Sequence, residues 1–170
     1  MCRALISSHV DKACRPRSNP PTTGWVKPRA GGIGVRRTDI LGSDVCLLRL
    51  PARQDARGTL LLLEFSELPF VPQRAFVTRV GEAGVQRGGH AHKRCRQILI
   101  CLAGVIEVEV AQAGKTASVH LETDQALLIE PPVWSRQAFV GPDAQLLVLT
   151  SEPYDPDDYL EQQTPAPAVR

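Results

Sequence analysis

The sequence has no run of about 18 apolar residues, so no segment is long enough to cross a bilayer as a helix. It also lacks an apolar signal-peptide core near its start. Its five cysteines, Cys2, Cys14, Cys46, Cys95 and Cys101, are odd in number and contain no Cys-x-x-Cys pair. Free thiols in a reducing cytoplasm are therefore expected. Cys46 and Cys101 lie inside apolar runs and read as small core residues. Acidic residues are scarce in one place only. Residues 1–38 hold eight Lys or Arg and a single acid, Asp11, which leaves 12 bases against 17 acids in the rest. The folded part is thus acidic, which argues against a nucleic-acid-binding patch.

What is present points to one domain. The 170 residues are 43% hydrophobic, enough for one core. The 13 glycines and 14 prolines favour short strands joined by turns. Prolines and a Gly31-Gly32-Ile33-Gly34 stretch leave residues 1–38 without periodicity, and a disordered basic leader is expected there. A barrel over 39–161 and a flexible tail over 162–170 complete the expected organisation. Apolar or alternating runs predict strands over 45–50, 59–65, 75–80, 97–102, 105–110, 116–121, 126–130 and 145–150. The run 97–102 is apolar at every position but the first, as expected for a strand buried on both faces. Residues 105–110 alternate, which predicts one wet face. A short helix is expected near 155–163. The class is all-β, in the manner of a sandwich or jelly roll.

Chemistry concentrates in Arg87-Gly88-Gly89-His90-Ala91-His92-Lys93. Histidines at i and i+2 on a strand face the same side, and imidazoles can carry protons near neutral pH. The order Gly84, His90, His92, Gln97, Gly104 is similar to the first cupin motif, with Gln97 where metal-binding cupins have glutamate. The later stretch Pro131-Pro132-Val133-Trp134-Ser135-Arg136-Gln137 lacks the histidine of the second motif. Gln97 and Arg136 are poor substitutes for a carboxylate and an imidazole as metal ligands. The expectation is a cupin-type jelly roll (double-stranded β-helix) with no metal and no other cofactor.

The same stretch resembles the FdtA/WxcM-like sugar 3,4-ketoisomerases. Asp55-Ala56-Arg57-Gly58, Leu68-Pro69-Phe70 with Arg74, residues 97–104, Pro131 to Trp134, and Tyr154-Asp155 to Asp158-Tyr159 agree in order and spacing. The resemblance covers about residues 50–160. It implies a metal-free cupin, usually a cytoplasmic homodimer, acting on dTDP-4-keto-6-deoxy-glucose in the making of surface sugars such as those of O-antigen. In such enzymes the ketone moves from C4 to C3 through an enediol. The resemblance implies His90 as base and His92 as its partner in acid/base work or orientation. Arg74 and Arg87 would contact the sugar or diphosphate. Arg57 is a weaker candidate for that role. Gln97 would bond a sugar hydroxyl or a histidine nitrogen, and Trp134 would line the pocket. Tyr154 and Tyr159 read as packing of the C-terminal segment.

Two departures stand out. The family's tyrosine after the matched arginine is absent from Ala75-Phe76-Val77-Thr78, and Ser135 stands where histidine is common. They motivate a rival reading, a sugar-binding or regulatory cupin without turnover. A metal-dependent cupin oxygenase is a third reading. Under all three the ligand is a small molecule, and neither nucleic acid nor membrane is a partner.

Overall fold

The apolar strand Gln97–Ala103 (β7) is buried on both faces. Leu99 and Cys101 point into one core, while Ile98 and Ile100 point into another. This is the two-sided burial expected from its unbroken apolar run. Each such side chain contributes about 1.5–3 kcal/mol by leaving water.

The computed structural model describes residues 36–160. Around β7 a six-stranded sheet runs in the order β1 (Arg36–Asp39), β2 (Val45–Arg49), β10 (Gln125–Ile129), β7, β12 (Gln145–Thr150) and β5 (Arg74–Arg79). A five-stranded sheet runs β13 (Tyr159–Leu160), β6 (Gln86–His92), β11 (Trp134–Phe139), β8 (Val105–Gln112) and β9 (Lys115–Glu122). Neighbouring strands in both sheets are antiparallel, as in β7 with β10, where Leu99 stands opposite Leu127. The main core lies between the sheets. It joins Leu99, Leu127 and Val148 of one to Ile106, Val108 and Phe139 of the other. A second core covers the far face of β7, under Leu61, Leu63, Leu68 and Phe70. This is a cupin-type jelly roll.

The eight predicted strands are all present, with shifted ends; residues 59–65 shorten to β4 (Gly58–Leu61). Among the described residues β4 pairs only with β3 (Ala52–Asp55), and this hairpin is largely exposed. Alternation over 105–110 is found in the burial of β8. β1 begins at Arg36 and pairs with β2, so the described chain starts three residues inside the stretch counted with the leader. Residues 1–35 and the tail lie outside the described residues.

The helix expected near 155–163 is, within the described residues, a single 3-10 turn at Pro156–Asp158. Asp155 caps it by accepting the Asp157 N–H at 2.9 Å. The chain then extends, because β13 pairs with β6 and places Tyr159 opposite His92. Pairing with a sheet edge outweighs continuation of so short a helix.

Candidate functional site

Strand alternation sends His90 and His92 to the same side of β6, and Ala91 between them goes to the other, fully buried. The two imidazoles line a cleft of about 260 Å³ between the sheets. β5 contributes Arg74, Phe76 and Thr78 to its wall; β7 contributes Gln97 and Leu99. β11 contributes Ser135 and Gln137. The C-terminal segment closes one side with Tyr154, Asp158 and Tyr159.

The rings meet closely. The His90 and His92 centroids are 5.0 Å apart, nearly perpendicular. Tyr159 stands edge-on to His90 at 4.6 Å and tilted to His92 at 4.9 Å. Burial, and then the neighbouring His92, push the His90 pKa below the ordinary imidazole range, against a backbone hydrogen bond at Gly88. Burial raises the Tyr159 hydroxyl above its ordinary value, so it stays protonated at neutral pH.

His92 is held at both ring nitrogens. Nδ1 lies 3.0 Å from Oδ2 of Asp158, and Nε2 lies 3.0 Å from Nε2 of Gln97. Asp158 is buried and also accepts the backbone N–H groups of Arg94 at 2.9 Å and Cys95 at 3.2 Å. The Cys95 thiol stands near this pair: its Sγ, a ring nitrogen of His92 and a carboxylate oxygen of Asp158 all lie within 4.8 Å of one another. Nδ1 of His92 and Oδ2 of Asp158 are already bonded to each other, and burial raises the thiol pKa. In the core, burial pushes the Cys46 thiol up to about 11.

Arg74 lines the cleft beside two rings. Its guanidinium carbon is 4.8 Å from the Phe76 centroid and 5.2 Å from that of Tyr154. Arg87 also borders the cleft.

Of the residues singled out from sequence, the structure brings together His90, His92, Gln97, Arg74 and Arg87. It does not bring Trp134 or Arg57. Trp134 is buried on the outer face of β11, against Ala91, Ala111 and Leu160. Alternation puts Ser135 and Gln137, not Trp134, on the cleft side. The indole Nε1 has no hydrogen-bond partner among the described residues. Arg57 is at the tip of the β3–β4 hairpin, paired with Asp55 at 2.5 Å, and does not line the cleft.

Sequence reasoning missed Asp158, and it treated Tyr154 and Tyr159 as packing. The signal was there: the Asp158-Tyr159 end of the Tyr154-Asp155 to Asp158-Tyr159 pattern meets the histidines, and Tyr154 lines the same cleft. Their distance along the chain hid this, because β13 pairs with β6 across 66 residues between His92 and Asp158.

The chain is similar to known proteins over this same region. It is 31% identical over 110 residues to TDP-4-oxo-6-deoxy-alpha-D-glucose-3,4-oxoisomerase of Aneurinibacillus thermoaerophilus, covering 64% of this chain and 79% of that protein. A variant of QdtA, the 3,4-ketoisomerase from Thermoanaerobacterium thermosaccharolyticum, solved with TDP-4-keto-6-deoxyglucose, superposes with a TM-score of 0.67. It is 29% identical, over 71% of this chain and 88% of that one. The WlaRB TDP-quinovose 3,4-ketoisomerase from Campylobacter jejuni gives a TM-score of 0.65 at 30% identity, over 71% and 94%. The family model for FdtA (WxcM-like, C-terminal) matches residues 43–165. That span runs from just before β2 past the end of β13 and is not confined to the histidine motif, so the chain belongs to the FdtA, WxcM-like C-terminal family.

Proposed function

We propose that this protein is a sugar 3,4-ketoisomerase that moves the ketone of a TDP-linked 4-keto-6-deoxy-hexose from C4 to C3. The observation that carries the reading is His90. It is a half-buried imidazole whose pKa is lowered, beside a second imidazole, in a cleft edged by Arg74 and Arg87. Family membership supplies the substrate class, since a solved relative holds TDP-4-keto-6-deoxyglucose.

A neutral His90 takes the proton from C3. The electron pair forms the C3–C4 double bond, and the C4 oxygen takes the negative charge of an enediolate. His90, now imidazolium, returns a proton to C4, and the hydroxyl proton passes from O3 to O4. One group that both takes and gives a proton suits an imidazole. The Tyr159 hydroxyl, protonated near neutral pH, adds a polar group to this wall of the cleft. Arg74 is pre-oriented by its two rings to meet the diphosphate.

The reading extends to a cytoplasmic homodimer that supplies sugars for surface polysaccharide such as O-antigen. Buried free thiols at Cys46, Cys95 and Cys101 are consistent with a reducing compartment. No helix among the described residues is long and apolar enough to cross a membrane. Leu60, Phe65 and Val71 are more than half exposed near the hairpin and give a second copy apolar surface to cover. Arg57 would contribute to substrate binding only if that second copy carried it to a cleft.

The test is solvent exchange on TDP-4-keto-6-deoxyglucose in deuterated water, with wild type beside His90→Asn. Deuterium at C3 or C4 with wild type alone supports the reading. Binding without exchange in wild type would replace it with a non-catalytic sugar-binding cupin.

A further inference from the structure

Asp158 has no assigned role, yet it is the most buried charged residue facing the cleft, at 3% exposure. Its carboxylate accepts the backbone N–H groups of Arg94 and Cys95, and Nδ1 of His92 lies 3.0 Å from its Oδ2. The Arg94 guanidinium adds a weaker contact at 3.9 Å. A carboxylate so surrounded only accepts, so His92 must donate from Nδ1. A neutral imidazole then has a lone pair at Nε2, and the Gln97 amide meets it with an N–H at 3.0 Å. The chain Asp158–His92–Gln97 is satisfied at every bond by one tautomer.

We propose that Asp158 is a positioning residue that locks His92 as the neutral Nδ1–H tautomer. The lock separates the two histidines by role. His92 holds a fixed tautomer and a fixed ring plane against Tyr159 and His90. Among the described residues His90 has no carboxylate partner, so it keeps the freedom to take a proton. His92 depresses the His90 pKa only through its protonated form, so a lock on the neutral form keeps that repulsion away from the working base. The backbone supports the arrangement from outside. Lys93 N donates to Asp158 O at 2.8 Å, and the Arg94 side chain meets Asp155 at 2.7 Å. These bonds tie the 3-10 turn to the end of β6.

The tautomer part stands without the isomerase reading; the activity part rests on it. In uniformly ¹⁵N-labelled wild type, long-range nitrogen–proton spectra at neutral pH should show His92 with a pyrrole-type Nδ1 and a pyridine-type Nε2. The opposite tautomer, or an imidazolium, would overturn the proposal whatever the enzyme does. Asp158→Asn must turn its amide N–H₂ toward one of three donors. It should shift His92 toward the Nε2–H form and lower kcat by about 10²-fold or more, with KM changed by less than about threefold. Replacing the carboxylate of a carboxylate–histidine pair by amide has large effects of this kind. A folded Asp158→Asn with unchanged kcat, or with lost stability but an unchanged His92 tautomer, would reduce Asp158 to a structural residue. If this variant does not fold, the wild-type spectrum alone decides. If wild type shows the expected tautomer but no exchange on the sugar, the positioning claim survives and the isomerase reading fails.

Discussion

A Cβ placed on Gly88 would stand 2.6 Å from Oε1 of Gln137 and 2.9 Å from the backbone oxygen of Ser135. Gly88 also has a φ of +77°, and the register between β6 and β11 shifts beside it, between Ser135 and Arg136. The missing side chain therefore lets β11 approach β6 and keeps Gln137 and Ser135 on the cleft wall. The neighbouring Gly89 has a similar φ of +82° but meets nothing within 4 Å.

That contrast separates two costs. Gly89→Ala should lose about 1–2 kcal/mol, the penalty for a left-handed residue with a Cβ. Gly88→Ala should lose that and about 1–3 kcal/mol more, because the Ser135 carbonyl cannot move aside as a side chain can. Urea midpoints of the two variants measure the difference. Equal losses would show that the close approach carries no cost.

The His90 pKa is displaced downward from 6.5. A base must be neutral to act, so the acid limb of kcat/KM should fall below the ordinary imidazole value of about 6.5. The sign for stability follows from the same displacement. Between the folded and unfolded pKa values the unfolded chain binds more protons, so stability rises with pH across that window. The His90 contribution is complete above about 6.5 and is lost as pH falls through the folded value. Denaturant titrations across this range should show a shallower slope for His90→Asn than for wild type. An unchanged slope would mean that His90 is not the titrating group.

Much of this was legible in the sequence, for a physical reason. Strand burial leaves a period-two signature, and β7 and β8 carry it plainly. The i, i+2 spacing also fixes His90 and His92 on one face once β6 is a strand. Trp134 was placed in the pocket because the family motif contains it, whereas counting parity from Gln137 puts it outside. Asp158 and Tyr159 depend on β13 pairing with β6, a long-range contact that local patterns do not encode. Arg57 shows the same limit from the other side, since its turn was recognised but not where the hairpin would point.

Arg74 should act on binding more than on chemistry. Its guanidinium lies against the rings of Phe76 and Tyr154 and makes no hydrogen bond to His90 or His92. Arg74→Ala should raise KM by about 10- to 100-fold, the worth of a charged hydrogen bond of about 1.5–3 kcal/mol, with kcat within about threefold. Arg74→Lys should recover little, because an ammonium neither stacks flat nor forks. Tyr154→Phe keeps the ring and should match wild type. Steady-state kinetics on the TDP-sugar checks all three, and a fall in kcat without a rise in KM would place Arg74 in the chemical step instead.

Gln97 tests whether neutrality at this position matters. Gln97→Glu conserves shape but removes the donor that meets Nε2 of His92. A carboxylate there accepts only, so the ring gains a proton at Nε2 while Asp158 still holds Nδ1–H. His92 becomes an imidazolium between two carboxylates. Its charge, 5.0 Å from His90 between ring centroids, lowers the basicity of His90 further. Proton abstraction from C3 slows as the base weakens. Gln97→Glu should therefore cost about tenfold or more in kcat near neutral pH, within the range general-base catalysis supplies. Raising the pH should recover part of the loss as His92 sheds the added proton. Gln97→Leu removes the donor without adding charge and should cost less, with no such recovery. Rate profiles of the two variants against pH distinguish them, and parallel profiles would show that hydrogen bonding alone, and not the charge on His92, sets the power of the base.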